Sequence, residues 1–296
     1  MRSRADCLMR SLLHPTIFIL FLIGLSSTFN SCELINPDEQ TPAYLCIDSI
    51  SLATTSVEGS ADANIVDAWV FDNEQLVGIF ELPAVVPILN TGEANIRIRG
   101  GIRLNGQVGT RIPYLYTQDY QNTIELFPDS QVCINPTVSF HDDINFPWIE
   151  EFEGVGLSLE TTPVNDGELT KIEGPEAYQG ESLKLSLSEI QLIVECRLAD
   201  AIALPGGGSP VMLEFTYRSN HTLIAGVFSS DQTGTFQVPI IVLNPSEDWN
   251  RIYVNLTDII SSNSGFIDHR PYFGFLRDED HEGEAFAIID NIRLLH

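Results

Sequence analysis

Positive charge is scarce in this chain. Of 296 residues, 15 are Lys or Arg and 41 are Asp or Glu, giving a formal net charge of −26 at pH 7 with His neutral. A field of that sign repels phosphate backbones and anionic headgroups, which argues against nucleic-acid binding and against attachment to a membrane through a basic face. Catalytic signatures are missing as well: there is no Gly-x-Ser-x-Gly elbow, no His-Glu-x-x-His and no Cys/His spacing suited to zinc. His141, His221, His269, His281 and His296 fall in expected loops, strand ends or the terminus, without a spaced partner. Gly206-Gly207-Gly208-Ser209-Pro210 lacks the Lys of a phosphate loop and reads as a turn. Carboxylates are so numerous that accidental pairs carry no information, so no catalytic residue is assigned and a polysaccharide hydrolase or lyase stays only as an alternative. Long apolar runs are absent too, the longest stretch being about a dozen residues where a spanning helix needs roughly 18 to 20.

That short stretch has an address of its own. Arg2, Arg4 and Arg10 precede an apolar segment from Ile17 to Leu25, and Ser31 stands before Cys32. This is the layout of a bacterial lipoprotein signal, with residues 1–31 removed and Cys32 carrying lipid; several acyl chains at about 0.8 kcal/mol per buried methylene give stable anchoring. Phe29 and Asn30 depart from the usual lipobox, which prefers an aliphatic and a small residue there. Relaxed boxes of this kind resemble those of Bacteroidota outer-membrane lipoproteins. Residues 32–42 are polar and proline-containing and read as a tether. Its acidic residues resemble surface-export signals, which implies an outer-membrane protein facing outward. Subtracting the three Arg and one Asp of residues 1–31 from 15 and 41 leaves 12 basic and 40 acidic residues in the mature chain. Four of the twelve, Arg97, Arg99, Arg103 and Arg111, are clustered; they read as a solvated face in preference to an anion site.

Export makes disulfides possible. Cys46 and Cys133 lie near the two ends of one expected domain, where a bridge would contribute roughly 4 to 5 kcal/mol in the chain-entropy model. Cys196, on an apolar strand without a partner, reads as a small buried hydrophobe.

The periodicity throughout is that of strands. Ile65–Phe71 and Gln75–Phe80 flank Asp72-Asn73-Glu74 as a hairpin, Asn95–Arg99 alternates apolar with charged residues, and Asn105-Gly106 marks a tight turn. With Leu45–Leu52 and Gln121–Phe127, residues 43–140 make a small β-sandwich, similar in architecture to immunoglobulin-like or carboxypeptidase regulatory domains. A second unit, 148–296, holds nine or ten strands and suits a jelly roll. The fold class is therefore all-β, with two sandwiches.

The second unit resembles carbohydrate-binding-module jelly rolls of the galactose-binding-like type. It carries Phe152-Glu153-Gly154 at its opening, then Gly180 followed by Ser182-Leu183-Lys184-Leu185, then Trp249 in a Trp-Asn-Arg-Ile-Tyr-Val run, and Ile289-Asp290-Asn291-Ile292 on the closing strand. The resemblance implies a glycan partner held by aromatic side chains, for which Trp148, Tyr178, Tyr217 and Tyr272 are the candidates, with Trp249 in the core. It also implies a structural Ca²⁺ where first and last strands meet, with Glu151, Glu153 and Asp290 as ligands. Asp278–Glu284 imitates the start of an EF-hand loop but has Ile289 where a bidentate Glu is required, and reads as a solvated loop. Non-enzymatic glycan binding is thus the expected function, with an accessory role beside an outer-membrane protein partner as the alternative.

Overall fold

The computed structural model describes residues 40–296; the signal segment and Cys32 lie outside the described residues. Strands supply almost all regular structure. The N-terminal sandwich opens with β1 (Ala43–Ile47), β2 (Ser51–Ala53), β3 (Asp67–Asp72), β4 (Gln75–Glu81), β5 (Ala84–Ile88) and β6 (Gly92–Arg103). It closes with β7 (Arg111–Pro113), β8 (Tyr120–Leu126), β9 (Gln131–Ile134) and β10 (Thr137–Ser139). One layer is β5-β1-β9 with a short β10-β2 pair; the other is β4-β3-β6, with β7 and β8 both pairing with β6. The expected hairpin is present, Asn73 and Glu74 both adopting positive φ at its tip. Val70, Ile96 and Ile98 alternate inward from β3 and β6 and are fully or almost fully buried, as period-two patterning requires.

Cys46 and Cys133 are bridged, their Cα atoms 4.4 Å apart. They are direct partners on the neighbouring parallel strands β1 and β9, so the bond ties the first strand of the sandwich to its last but one. The arginine cluster is neutralised side chain by side chain. Asp119 takes Arg97 (2.8 Å) and Arg99 (2.7 Å), while Arg111 pairs with Asp67 at 2.6 Å and Arg103 with Glu81 at 3.3 Å.

The jelly roll holds β11 (Trp148–Glu150), β12 (Leu159–Thr161), β13 (Glu168–Glu173), β14 (Glu181–Leu187), β15 (Ile193–Leu198), β16 (Met212–Ser219), β17 (Leu223–Asp231) and β18 (Gly234–Leu243). After β19 (Ser246–Asn255) come a short helix α1 (Thr257–Ser261), β20 (Asp268–Leu276) and β21 (Ala285–Leu295). One sheet runs β13-β14-β21-β16-β19, with β11 also on β21; the facing sheet runs β12-β15-β20-β17-β18. Phe215, Phe273, Phe275, Leu185 and Val227 fill the space between them.

The two units share a seam. Met212, Tyr253 and Leu295, from the outer side of the first jelly-roll sheet, are buried in the N-terminal core. The Asn105-Gly106 turn, with φ of +52° and +64°, docks on β19: Asn105 N donates to Tyr253 O at 2.8 Å, and a Cβ on Gly106 would meet Ile252 Cδ1 at 3.2 Å. Beneath the seam lies a charged cluster. Arg251 donates to Glu214 Oε2 at 2.9 Å, Tyr114 OH donates to Glu214 Oε1, and Arg293 donates to the Ser60 carbonyl at 2.8 Å. Glu214, Arg251 and Arg293 are all buried. Burial opposes the charge on Arg251, but Glu214 and Asp62 outweigh it and hold the guanidinium protonated.

Candidate functional site

Strand alternation decides where each candidate aromatic goes. Tyr217 shares an inward row with Leu213 and Phe215, is 5 % exposed, and donates its hydroxyl to Asn244 O at 3.0 Å. Trp148 is 5 % exposed, with its indole N–H on Ser158 Oγ at 2.9 Å. Both are packing residues, and neither offers a face to a sugar. Trp249 runs the other way from expectation. It shares its row on β19 with Arg251 and Tyr253, not with the inward Ile252 and Val254, and is therefore half-buried on the outer side. Tyr178 packs against it with centroids 5.0 Å apart, Arg218 sits 5.1 Å over its ring, and the Tyr178 hydroxyl donates to Asp62 Oδ1 at 3.1 Å. Burial, with Asp62 adding to it, pushes the Tyr178 phenol up to about 12.

Tyr272 is the one candidate on the free sheet. It alternates outward between the inward Phe273 and Pro271, yet is only 2 % exposed, because neighbours cover its ring. Phe228 lies 5.0 Å from it, centroid to centroid. Gly226 stands beneath: a Cβ there would run into Val238 O and come within 2.5 Å of Tyr272 Cε1. Only glycine lets the ring lie against the sheet at that point. Burial pushes the phenol up to about 12, with a Gln237 hydrogen bond working the other way. Gly274 plays the same part for Glu195, whose Cα would be 3.0 Å from an added Cβ.

Around Tyr272 the outer side of β12-β15-β20-β17-β18 holds a fixed polar set that no motif announced. Glu195 accepts from Thr162 Oγ1 at 2.7 Å and from Gln237 Nε2. Arg197 and Arg270 converge on Glu160 Oε1, at 2.9 and 3.2 Å. Arg197 also lies 5.6 Å over the Phe228 ring. Glu195 and Arg197 occupy alternate positions of β15 between the inward Val194, Cys196 and Leu198, so period two was the only sequence signal for them. Cys196 itself is fully buried, and burial pushes its thiol up to about 12, leaving it inert.

The calcium candidates separate. Asp290 is fully buried; its Oδ2 accepts from Ser182 Oγ at 2.7 Å and Gln179 N at 3.2 Å, and its Oδ1 from Asn291 N at 2.6 Å. Burial raises its pKa to about 6, those bonds pull it back in part, and the Glu153 carboxylate adds to the rise. Glu153 arches over Gly180 (φ +52°) and accepts from Glu181 N at 2.9 Å. Glu151 lies apart, its Oε1 3.5 Å from where a Gly59 Cβ would stand. Among the described residues no group of three or more His, Cys, Asp or Glu is placed to hold a metal. What remains is Glu153 and Asp290, two carboxylates near each other whose oxygens already accept protein hydrogen bonds, against the six to eight oxygens that calcium takes.

No protein-family model matches the chain. No curated protein matches it. Solved structures do. The chain is similar to an exo-β-agarase at 16 % identity over 49 % of this chain, with a TM-score of 0.35, and spans 24 % of that chain's length. It is similar to the CBM22-1 xylan-binding domain from Paenibacillus barcinonensis Xyn10C at 13 % identity, covering 51 % of this chain and 93 % of that one, with a TM-score of 0.37. A family 11 carbohydrate-binding module from Clostridium thermocellum gives 13 %, 51 %, 94 % and 0.33 for the same quantities. The solved structures that half of this all-β chain is similar to thus include carbohydrate-binding modules.

Proposed function

We propose that the protein is a non-catalytic glycan-binding protein, tethered by lipid at Cys32 to the outer membrane and facing outward, with the outer side of β12-β15-β20-β17-β18 as its contact surface. The observation that carries this reading is the Glu195–Gln237–Thr162 set beside Phe228 and Arg197. Sugars present C–H faces and hydroxyls together, and a ring edged by fixed donors and acceptors meets both. Tyr272 acts from below, holding Phe228 in place. Calcium would be held by Glu153 and Asp290 at the far sheet, where it would fix the opening loop and leave the contact surface untouched.

The test uses residues 33–296, which contain the whole described fold, run through gels of xylan, mixed-linkage β-glucan and agarose. Retardation by at least one polysaccharide is expected, weakened about tenfold by Phe228→Ala and about three- to tenfold by Gln237→Ala, the span of one net hydrogen bond. Free migration of the folded protein through every gel sinks the reading.

A second reading rests on a separate observation. At one end of the same sheet Leu276 and Val242 are each 60 % exposed and Leu192 is 67 % exposed, an apolar edge that suits a protein partner. Crosslinking on intact cells that captures an outer-membrane protein through Leu192 or Leu276 supports this accessory role.

A further inference from the structure

The outer side of the N-terminal sheet gathers groups that nothing above uses. Trp69 and Phe71, two residues apart on β3, both point outward and are partly exposed. Their direct partners on β6 are Arg99 and Arg97. The Arg97 guanidinium lies 3.8 Å over the Phe71 ring and reaches Glu74 at 3.0 Å. Asp119 grips Arg97 and Arg99 together. Burial works against the Asp119 charge, but the two guanidiniums win and hold its carboxyl below the ordinary value. Beyond them, β8 sets Gln121 opposite Arg97 and Thr123 opposite Asn95. Thr123 Oγ1 donates to Asn95 Oδ1 at 2.9 Å, and Asn95 Nδ2 donates to Asn73 Oδ1 at 3.1 Å.

Two grooves of about 590 and 600 Å³ meet at Gln121. The first runs past Arg99, Asp119 and Thr117; the second runs past Arg97, Asn95 and Asn73. Across the sheet the order is therefore aromatic on β3, ionic on β6 and amide on β8. The charges cancel, Arg97 and Arg99 against Glu74 and Asp119, so the face exerts little pull on an anion and suits a neutral ligand. Thr123, Asn95 and Asn73 are held in a donor–acceptor chain before any ligand arrives, which lowers the ordering cost of binding. Gln121 makes no side-chain hydrogen bond among the described residues. Trp69 Nε1 is also without a partner there. That nitrogen lies 3.0 Å from where a Gly101 Cβ would stand, so the indole rests close on the sheet. Along the strand the Trp69 and Phe71 backbone positions are about 7 Å apart, a span that one sugar ring and its linkage can cover.

We propose that this face is a second glycan-binding site, taking a neutral polyhydroxylated chain laid along β6 and β8. It stands on a different sheet from the jelly-roll surface and makes the protein bivalent. The test is affinity electrophoresis and titration of residues 33–296 with xylan, mixed-linkage β-glucan and agarose, comparing wild type, Gln121→Ala with Asn95→Ala, Trp69→Phe and, as the reference, Phe228→Ala. The two amides are exposed, so their removal leaves the fold intact. The expected result is at least about fivefold weaker binding to one polysaccharide in the amide variant, and a ligand-induced change in tryptophan emission that Trp69→Phe abolishes. Amide and Trp69 variants that bind like wild type while Phe228→Ala removes binding overturn this site and leave the jelly-roll surface standing. Loss of binding in the N-terminal variants with none in Phe228→Ala supports this site and overturns the other. Wild type that binds none of the three overturns both.

Discussion

The jelly roll has two outer sides built from the same kinds of residue, and they meet opposite fates. On β14-β21-β16-β19, the outward Glu214, Thr216, Arg251, Tyr253 and Arg293 lie buried under the N-terminal sandwich and the segment before β3. On β15-β20-β17-β18, the outward Arg197, Phe228, Arg270 and Gln237 keep contact with solvent. Alternation along a strand says which residues leave the core of their own sandwich. It does not say what they meet on leaving. A charged residue on the first side must find a fixed partner or cost several kcal/mol, whereas one on the second can be held in readiness for a ligand.

The largest expected effect that separates the two sides is at Arg251. Arg251→Met takes the buried guanidinium from Glu214 and Asp62, leaves Glu214 with Tyr114 and with Arg293 at 3.6 Å, and should cost about 3 kcal/mol in urea unfolding. Since both units share Met212, Tyr253 and Leu295, the loss should appear in a single transition. A cost under about 1 kcal/mol would mean that water reaches the seam and that the contrast is false. On the free side, Gly226→Ala should cost about 1–3 kcal/mol by pressing a methyl against Val238 O and the Tyr272 ring. It should also alter the near-ultraviolet tyrosine signal. Full tolerance would show that the ring does not lie on the sheet.

The smallest effect concerns Asp290. Its folded pKa of about 6 lies above the ordinary value of 3.8, so the fold loses stability from this group as pH rises through 6 and regains it on acidification. The calcium ion proposed at Glu153 and Asp290 would offset that cost only where Asp290 is ionised. Calcium minus chelator should therefore raise Tm at pH 7.5, by about 2–4 °C for each kcal/mol gained, and do nothing near pH 5. An increment that stays the same at both pH values removes Asp290 from the ion.

Much of the architecture could be read from the residues. The β3–β4 hairpin, the Asn105-Gly106 turn and the run of jelly-roll strands follow from alternation and turn chemistry, and Cys46 with Cys133 from position in an exported chain. Strands β5, β7, β9, β10, β12 and β13 were not legible; all but the six-residue β13 have three to five residues, which carry too little period. The aromatic candidates fared unevenly for one reason: ring type does not encode side. Tyr217 and Tyr272 look alike in sequence, but one falls in an inward row and the other in an outward row. Trp249 was placed inward by resemblance, whereas its register with Arg251 puts it outside. Phe228 and Gln237 gained meaning only once two glycines and a tyrosine were seen beneath and beside them.

The cysteine pair has a mechanical consequence. A pull on residue 40 enters the fold through β1, whose two flanking partners are β5 and the parallel β9. Cys46 is near the far end of β1, and its bond to Cys133 ties that strand covalently to β9. Tension cannot peel β1 away residue by residue beyond that point; it is handed to the second half of the sandwich, and from there across the Tyr253 seam to the jelly roll. A molecule held at one end and gripping a large, moving ligand at the other would carry load along this route while both of its faces kept their shape.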